Sequence, residues 1–465
     1  MPNRNSLSQM AALVRARQVS PVELVDAHLK QIEKLNPKVN AFVIVTADSA
    51  REEARAAEAA LMRGDRLGPL HGVPVTVKDS FDLAGHPTLC GSKFRIGHRA
   101  DRDSTSAARL RAAGAIVLGK TNCPEFLMNY ESDNFIIGRT NNPWNLDRTA
   151  GGSSGGESAA ISSFCSAGGI GSDAGGSIRI PAHCCGIAGL KPTPGRCPAT
   201  GHYPAIGHPG GLLGVGGPMA RTALDVQALF RVLAGHDAQD PFSSPVPLTE
   251  ASMAGLKVGL MEGFYDVPVQ PAIREAVRKA GAALESMKIP VEPFRPTGLE
   301  RAPNVWWFFF GRLSAGGIRK IIAGREQEAH WTGVELMNLA EKEPEPTMPD
   351  VLENLAARDR MRAALLKQME EFRVLLLPAC GVPAWKHRER RWETPAKSIG
   401  QFEAMMPVTP FNLLGLPGIV IPYGMTDDGL PVGIQLVGRP WEEELILEVA
   451  IQLEEARGPF PSPSI

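Results

Sequence analysis

The sequence predicts an α/β fold with a largely parallel or mixed sheet. Short apolar runs of strand length recur between Ala41 and Val437. Segments with helical spacing separate them, the alternation that builds sheets covered by helices. No internal repeat and no low-complexity linker breaks the pattern. The chain has 465 residues, 43% hydrophobic and 21% charged, an ordinary composition for a soluble globular protein. That length admits roughly two to four domains or one large α/β unit.

The elements follow in order. Ser20-Pro21-Val22-Glu23 reads as a capping box with proline at the first helical position. Val22, Val25, Leu29, Ile32 and Leu35 then recur at helical spacing, so a helix is expected to about Leu35. Ala41–Val45 is a short apolar run, and Asp48–Arg63 is rich in alanine and glutamate and reads as helix. Gly72–Val77 reads as a buried strand that delivers Lys78 at its end. Ser104–Ala112 is a helix and Ala115–Leu118 a strand. Further on, Ala223–Leu233, Ala272–Met287 and Trp441–Ala456 read as helices. Leu256–Leu260, Val374–Leu377, Gly418–Ile421 and Val432–Val437 read as strands. Residues Phe294–Lys397 are the least patterned and read as an insertion or lid.

Charge and cysteines narrow the function. A formal net charge of −1 gives no reason to expect nucleic acid or an anionic membrane as partner. The N-terminus lacks an apolar core of signal-peptide length, and no run approaches 18 apolar residues. Seven cysteines, none in a C-x-x-C pair, suggest free thiols in a reducing cytoplasm. The ten histidines show no metal-binding spacing, so no metal or other cofactor is expected.

The stretch from Leu146 to Ala182 holds nine glycines and eight serines in 37 residues. A P-loop would need lysine directly after its glycines, and none follows until Lys191. Gly169–Ala174 matches a relaxed dinucleotide fingerprint, but the acidic residue wanted about 20 positions on is missing. A dehydrogenase is therefore disfavoured. Gly151–Gly155 matches G-x-S-x-G, yet Asn141–Asn145 before it is loop chemistry rather than a strand. A serine hydrolase without histidine is the fourth reading. Burial would lower the pKa of Lys78 and let it act as a base. A hydroxyl could relay the proton, and Gly175 and Gly176 could offer N–H groups to an oxyanion. Taken singly, each serine is more simply a turn residue bonding its own backbone.

At this point the chain resembles the amidase signature family. Gly151–Glu157 (GGSSGGE) and Gly171–Pro181 (GSDAGGSIRIP) look like the two halves of its signature. His71–Asp79, Gly119–Phe126, Asn142–Trp144, Cys185–Thr193, Gly217–Arg221, Gly415–Pro422 and Gly429–Gly438 also match, so the resemblance spans nearly the whole chain. It implies one large domain over 1–465, with a central mixed twisted β-sheet covered by helices on both faces. Within it, 1–62 would be a helical flank, 63–240 the signature core, 294–397 the variable region shaping the pocket, and 398–465 the closing strands and helix.

The resemblance also implies roles. Ser177 looks like the nucleophile, Ser153 the serine after a cis peptide with Gly152, and Lys78 the base acting through Ser153. The N–H groups of Ala174, Gly175, Gly176 and Ser177 would form the oxyanion hole. Gly152, Ser154, Asp173 and Arg179 would support the loop. Leu127, Met128, Asn129 and Tyr130 fall where relatives line the acyl pocket, with core packing as the equal alternative. The complete Lys78, Ser153 and Ser177 set argues against an inactive scaffold. The implied activity is hydrolysis of neutral, aryl or hydrophobic amides, with esters and carbamates as possible substrates, by a monomer or homodimer. The alternative is the glutamine-hydrolysing component of a tRNA-dependent amidotransferase.

Three further features have competing readings. Asn304–Phe310 (NVWWFFF) suggests packing for most rings and channel lining for one or two. Lys386–Trp392 (KHRERRW) reads as a solvated surface loop. Cys90 reads as packing, and Cys184 and Cys185 as buried thiols.

Overall fold

Side chains alternate across a strand, and that rule sets out the site. In Pro74–Lys78, Val75 and Val77 enter one apolar core, while Thr76 reaches Glu157 and Lys78 reaches Ser153 on the other face. In Gly418–Met425, Ile419 and Ile421 join the same core as Val75, and Val420 joins a second cluster with Ile178 and Ala182. The sheet is thus covered on both sides. The computed structural model describes residues 2–207 and 210–465.

Among the described residues eleven strands form the main sheet. In spatial order they are Phe42–Val45, Ile116–Thr121, Pro74–Lys78, Gly168–Asp173, Val215–Ala220, Ala188–Lys191, Gly418–Met425, Pro431–Gly438, Val374–Pro378, Val258–Leu260 and Val291–Pro293. The Lys78 strand is parallel to both neighbours, whereas Gly168–Asp173 meets Val215–Ala220 antiparallel. The sheet is mixed, as expected. Helices Ala223–Leu233, Pro271–Ser286 and Glu443–Arg457 cover one face through Phe230, Val277, Leu453 and their neighbours. The short helices Gly155–Ser162 and Arg179–Cys185 cover the other, and they flank the serine-rich loop. Among the described residues no helix is long and apolar enough to cross a membrane.

The expected helices form within a few residues of their sequence bounds. Ser20 and Glu23 make the capping box, and the helix runs on through Pro37 to Val39 before Asn40 ends it with φ 50°. Three central strands escape sequence reading: Gly168–Asp173, Ala188–Lys191 and Val215–Ala220. The region 294–397 is more regular than its sequence suggests. It holds the 21-residue helix Met348–Gln368, capped by Thr347 and Asp350, and a π-helical turn at Phe308–Leu313. It also contributes Val374–Pro378, which pairs with Pro431–Gly438 inside the main sheet.

Lys386–Trp392 is not the solvated loop that its charge suggests. Trp385 and Trp392 are buried, and Arg390 reaches the buried Glu131 at 2.5 Å and Glu335 at 2.7 Å. The basic run is thereby tied to the segment beside the serine-rich loop.

Gly169 shows how closely the central strands approach. A Cβ there would stand 2.1 Å from the Thr76 carbonyl oxygen and 2.2 Å from Glu157 Oε1. Gly169→Ala is expected to cost about 1–3 kcal/mol or more through overpacking. Gly316→Ala, in the open helix Ser314–Ile322 with no atom within 4 Å of the new methyl, should be neutral or slightly stabilising. Melting curves of the two variants check this; coincident curves would contradict the close packing.

Candidate active site

Lys78 ends its strand with no solvent contact. Its Nζ lies 2.7 Å from Ser153 Oγ, 2.9 Å from Ser154 Oγ and 3.1 Å from Ser172 Oγ. No salt bridge neutralises it among the described residues. Burial pulls its pKa down to about 8, although Asp173 and Glu157 at longer range work the other way. A neutral amine has two N–H donors and one lone pair. Ser154 donates its hydroxyl to the Ser172 carbonyl at 3.3 Å, so it can accept from lysine. Ser153 is then placed to donate its proton to the lone pair.

Glu157 lies behind this cluster and accepts from Thr76 and Thr121, each at 2.6 Å. Burial raises its carboxyl to about 7 against the pull of those bonds and of Lys78. The Gly152–Ser153 peptide is cis, as the family resemblance implies. A Cβ at Gly152 would meet backbone atoms of Asn129, Tyr130 and Glu131 within 2.7–2.9 Å, so only glycine fits there.

The Ser177 loop runs from Asp173 to Arg179. Asp173 Oδ1 accepts from Gly176 N–H at 2.7 Å, Arg179 Nη2 at 3.0 Å and Asn412 Nδ2 at 2.8 Å. Its Oδ2 accepts from Ile178 N–H at 3.1 Å and Arg179 Nε at 3.0 Å. Burial opposes ionisation, yet Arg179 holds this carboxyl well below the usual range. Arg179 also donates to Val408 O and Gln435 Oε1, tying the loop to the C-terminal region. Asp173 and Arg179 are thus bonded to each other and to the backbone of this loop.

The Gly176 amide needs a correction. The family pattern turns it toward the oxyanion, but here it is committed to Asp173. Among the described residues no acceptor takes the N–H of Ala174, Gly175 or Ser177. Those three remain available. Ser177 is half-buried and its hydroxyl has no hydrogen-bond partner among the described residues. Catalytic hydrogen bonds in unliganded sites are often long and tighten when substrate arrives.

Ser153, Ala174 and Ser177 open onto one cavity of about 350 Å³. Its walls are Phe126–Met128, Ala205–Gly207, Leu213–Val215 and, from the NVWWFFF region onward, Phe310, Leu313, Gly317 and Ile318. Of the aromatic cluster only Phe310 lines it; Trp306, Phe308 and Phe309 are buried. Of the four residues Leu127–Tyr130, Leu127 and Met128 line it and Asn129 and Tyr130 do not. Asn129 donates to Glu335 at 2.8 Å, and Tyr130 donates to the Gly175 carbonyl at 2.8 Å.

Phe126 and Leu127 have φ of 51° and 64°, a costly conformation for non-glycine residues. Glu125 beside them is anchored: it accepts from Ser92 Oγ at 2.9 Å and His330 N–H at 2.6 Å.

Sequence reasoning misses His202, which also lines the cavity. It lies far from the signature and has no motif of its own. Its Nδ1 donates to Pro204 O at 2.7 Å, and burial lowers its pKa to about 3, so it stays neutral. All seven cysteines are buried and free, as their composition suggested.

If neutral Lys78 is the base, protonation removes it. Activity should be lost as pH falls through about 8 and should level off above. Lys78→Met should fold and lose about 10²–10⁴ in kcat/KM. A flat kcat/KM profile between pH 6 and 10 with chemistry rate-limiting would remove lysine from the mechanism.

The Amidase family model matches residues 23–447. A glutamyl-tRNA(Gln) amidotransferase subunit from Roseiflexus castenholzii is 34% identical over 96% of this chain and 94% of its own length. An indoleacetamide hydrolase from Bradyrhizobium diazoefficiens is 32% identical over 96% of this chain and 86% of its own. The crystal structure of a bacterial aryl acylamidase of the amidase signature family superposes with a TM-score of 0.88, at 27% identity, covering 97% of this chain and 96% of that one. Because one of these relatives is named for a tRNA amidotransferase, the expectation from net charge that nucleic acid plays no part has no support. The chain belongs to the amidase signature family of hydrolases.

Proposed function

We propose that this protein hydrolyses the C–N bond of neutral amides with an aryl or other apolar group, through an acyl-enzyme on Ser177. The observation behind it is a lysine with no solvent contact, hydrogen-bonded to Ser153, which lines an apolar cavity that also exposes Ser177. Ser177 Oγ attacks the acyl carbon while its proton passes through Ser153 to Lys78. The carbonyl oxygen takes the negative charge facing the Ala174, Gly175 and Ser177 amides. The C–N bond breaks as the proton returns through Ser153 to the departing nitrogen. Water, activated by the same relay, then cleaves the ester and frees Ser177. The relay touches only the acyl carbon and its leaving atom, so esters and carbamates fit the same steps.

The cavity lining bears on substrate. Among its described residues the only ionisable side chains are Asp173, already paired with Arg179, and the neutral His202. A free amino acid would bring its ammonium and carboxylate into this space with no counter-charge. That disfavours glutamine as the substrate, although a relative is named for glutamyl-tRNA(Gln) amidotransfer. Relatives named for indoleacetamide and aryl acylamide hydrolysis fit the apolar walls better. Burying an aromatic ring contributes roughly 1.5–3 kcal/mol, about ten- to a hundredfold in kcat/KM over a short aliphatic amide.

A fluorophosphonate should label wild type on the peptide containing Ser177, and Ser177→Ala should neither label nor turn over substrate. An adduct on Ser153 or Ser154 instead overturns the assignment. In parallel, kcat/KM should fall in the order anilide, then acetamide, then glutamine. Glutamine turned over as well as the anilide would favour the amidotransferase reading.

A further inference from the structure

The oxyanion loop is held by two aromatic side chains from outside the signature. Trp306 Nε1 donates to the Ala174 carbonyl at 2.7 Å, and Tyr130 Oη donates to the Gly175 carbonyl at 2.8 Å. These bonds act on different peptides. The Gly175–Gly176 peptide is fixed at both ends, by Tyr130 on its carbonyl and Asp173 on its N–H. The Ala174–Gly175 peptide is held only at its carbonyl, by Trp306, and its N–H has no acceptor among the described residues. In a trans peptide the C=O and N–H point to opposite sides. An indole fixed on the carbonyl side therefore directs the Gly175 N–H away from itself.

Trp306 is built to hold that position. It is 2% exposed and stacks on Phe310 with centroids 4.7 Å apart and planes 14° apart. It lies so close that a Cβ at Gly175 would stand 2.3 Å from its Cζ2. Phe310 in turn lines the substrate cavity. The hydrogen bond also polarises the peptide and makes its N–H a better donor.

We propose that Trp306 is a positioning residue for the oxyanion site. Its indole N–H orients the Ala174–Gly175 peptide so that the Gly175 N–H meets the tetrahedral oxygen, and its stacking on Phe310 links that peptide to the wall the substrate touches. The proposal rests on the reading of Ser177 as nucleophile. It assigns part of the NVWWFFF cluster, otherwise simple core, to transition-state stabilisation.

The test uses the full chain with Trp306→Phe, which keeps a ring and removes the N–H. Two inhibitors separate the stages. An aryl trifluoromethyl ketone forms a tetrahedral oxyanion with the nucleophile; the matching aryl trifluoromethyl carbinol fills the cavity without forming one. In the variant kcat for an anilide should fall about tenfold, as loss of ~1.4 kcal/mol gives, with KM within about twofold. The ketone Ki should rise by about the same tenfold, with the carbinol Ki nearly unchanged. If Trp306→Phe melts well below wild type, 3-benzothienylalanine at 306 decides, because it keeps the bicyclic ring and lacks the donor. Unchanged kcat and ketone Ki, or equal shifts for ketone and carbinol, overturn the role of Trp306. A wild type that the ketone does not inhibit and that forms no Ser177 adduct overturns the nucleophile reading, and this proposal with it.

Discussion

An amine with no water around it must find a counter-charge or give up its proton. Two buried lysines lie side by side here with different partners. Lys120, also fully buried, pairs with Asp79 at 2.9 Å. Lys78, one residue before Asp79 in sequence, faces only hydroxyls and a carbonyl. Strand alternation separates them: Asp79 receives the neighbouring strand's lysine, and Lys78 is left to the serine cluster. The rest of the site is arranged around that uncompensated amine.

A loop that must present free N–H groups cannot satisfy them within itself, so its other groups are held from elsewhere. Asp173 collects six N–H donors from Gly176, Ile178, Arg179 and Asn412. Arg179 extends the anchorage to Val408 and Gln435, and Tyr130 and Trp306 hold two carbonyls. The anchors come from four distant parts of the sequence. Rigid support of this kind holds the three free amides in place, as preorganised stabilisation of an oxyanion requires.

Parts of this are legible in the sequence, and the reasons differ by segment. Strands such as Pro74–Lys78 and Pro431–Gly438 carry branched apolar residues and announce themselves. Gly168–Asp173 has one apolar side chain, Ile170, because its neighbours come too close for more. It therefore reads as a loop. Val215–Ala220 hides behind Gly216, Gly217 and Pro218 in the same way. The helix Met348–Gln368 buries only Leu365 among its side chains, so it shows little apolar stripe. Lys78, Ser153 and Ser177 stand in long motifs and are readable. His202 and the partners that claim Gly176, Asn129 and Tyr130 depend on contacts across more of the chain than any local pattern reports.

The state of Lys78 is open to direct measurement. Protein labelled with ¹³C,¹⁵N-lysine can be titrated by NMR, with the Lys78 signal assigned by its loss in Lys78→Arg and so separated from the buried Lys191. A midpoint near 8 is expected. A midpoint at or above the ordinary lysine value of about 10.4 would mean that Lys78 stays charged at working pH, and the relay through Ser153 would have no base.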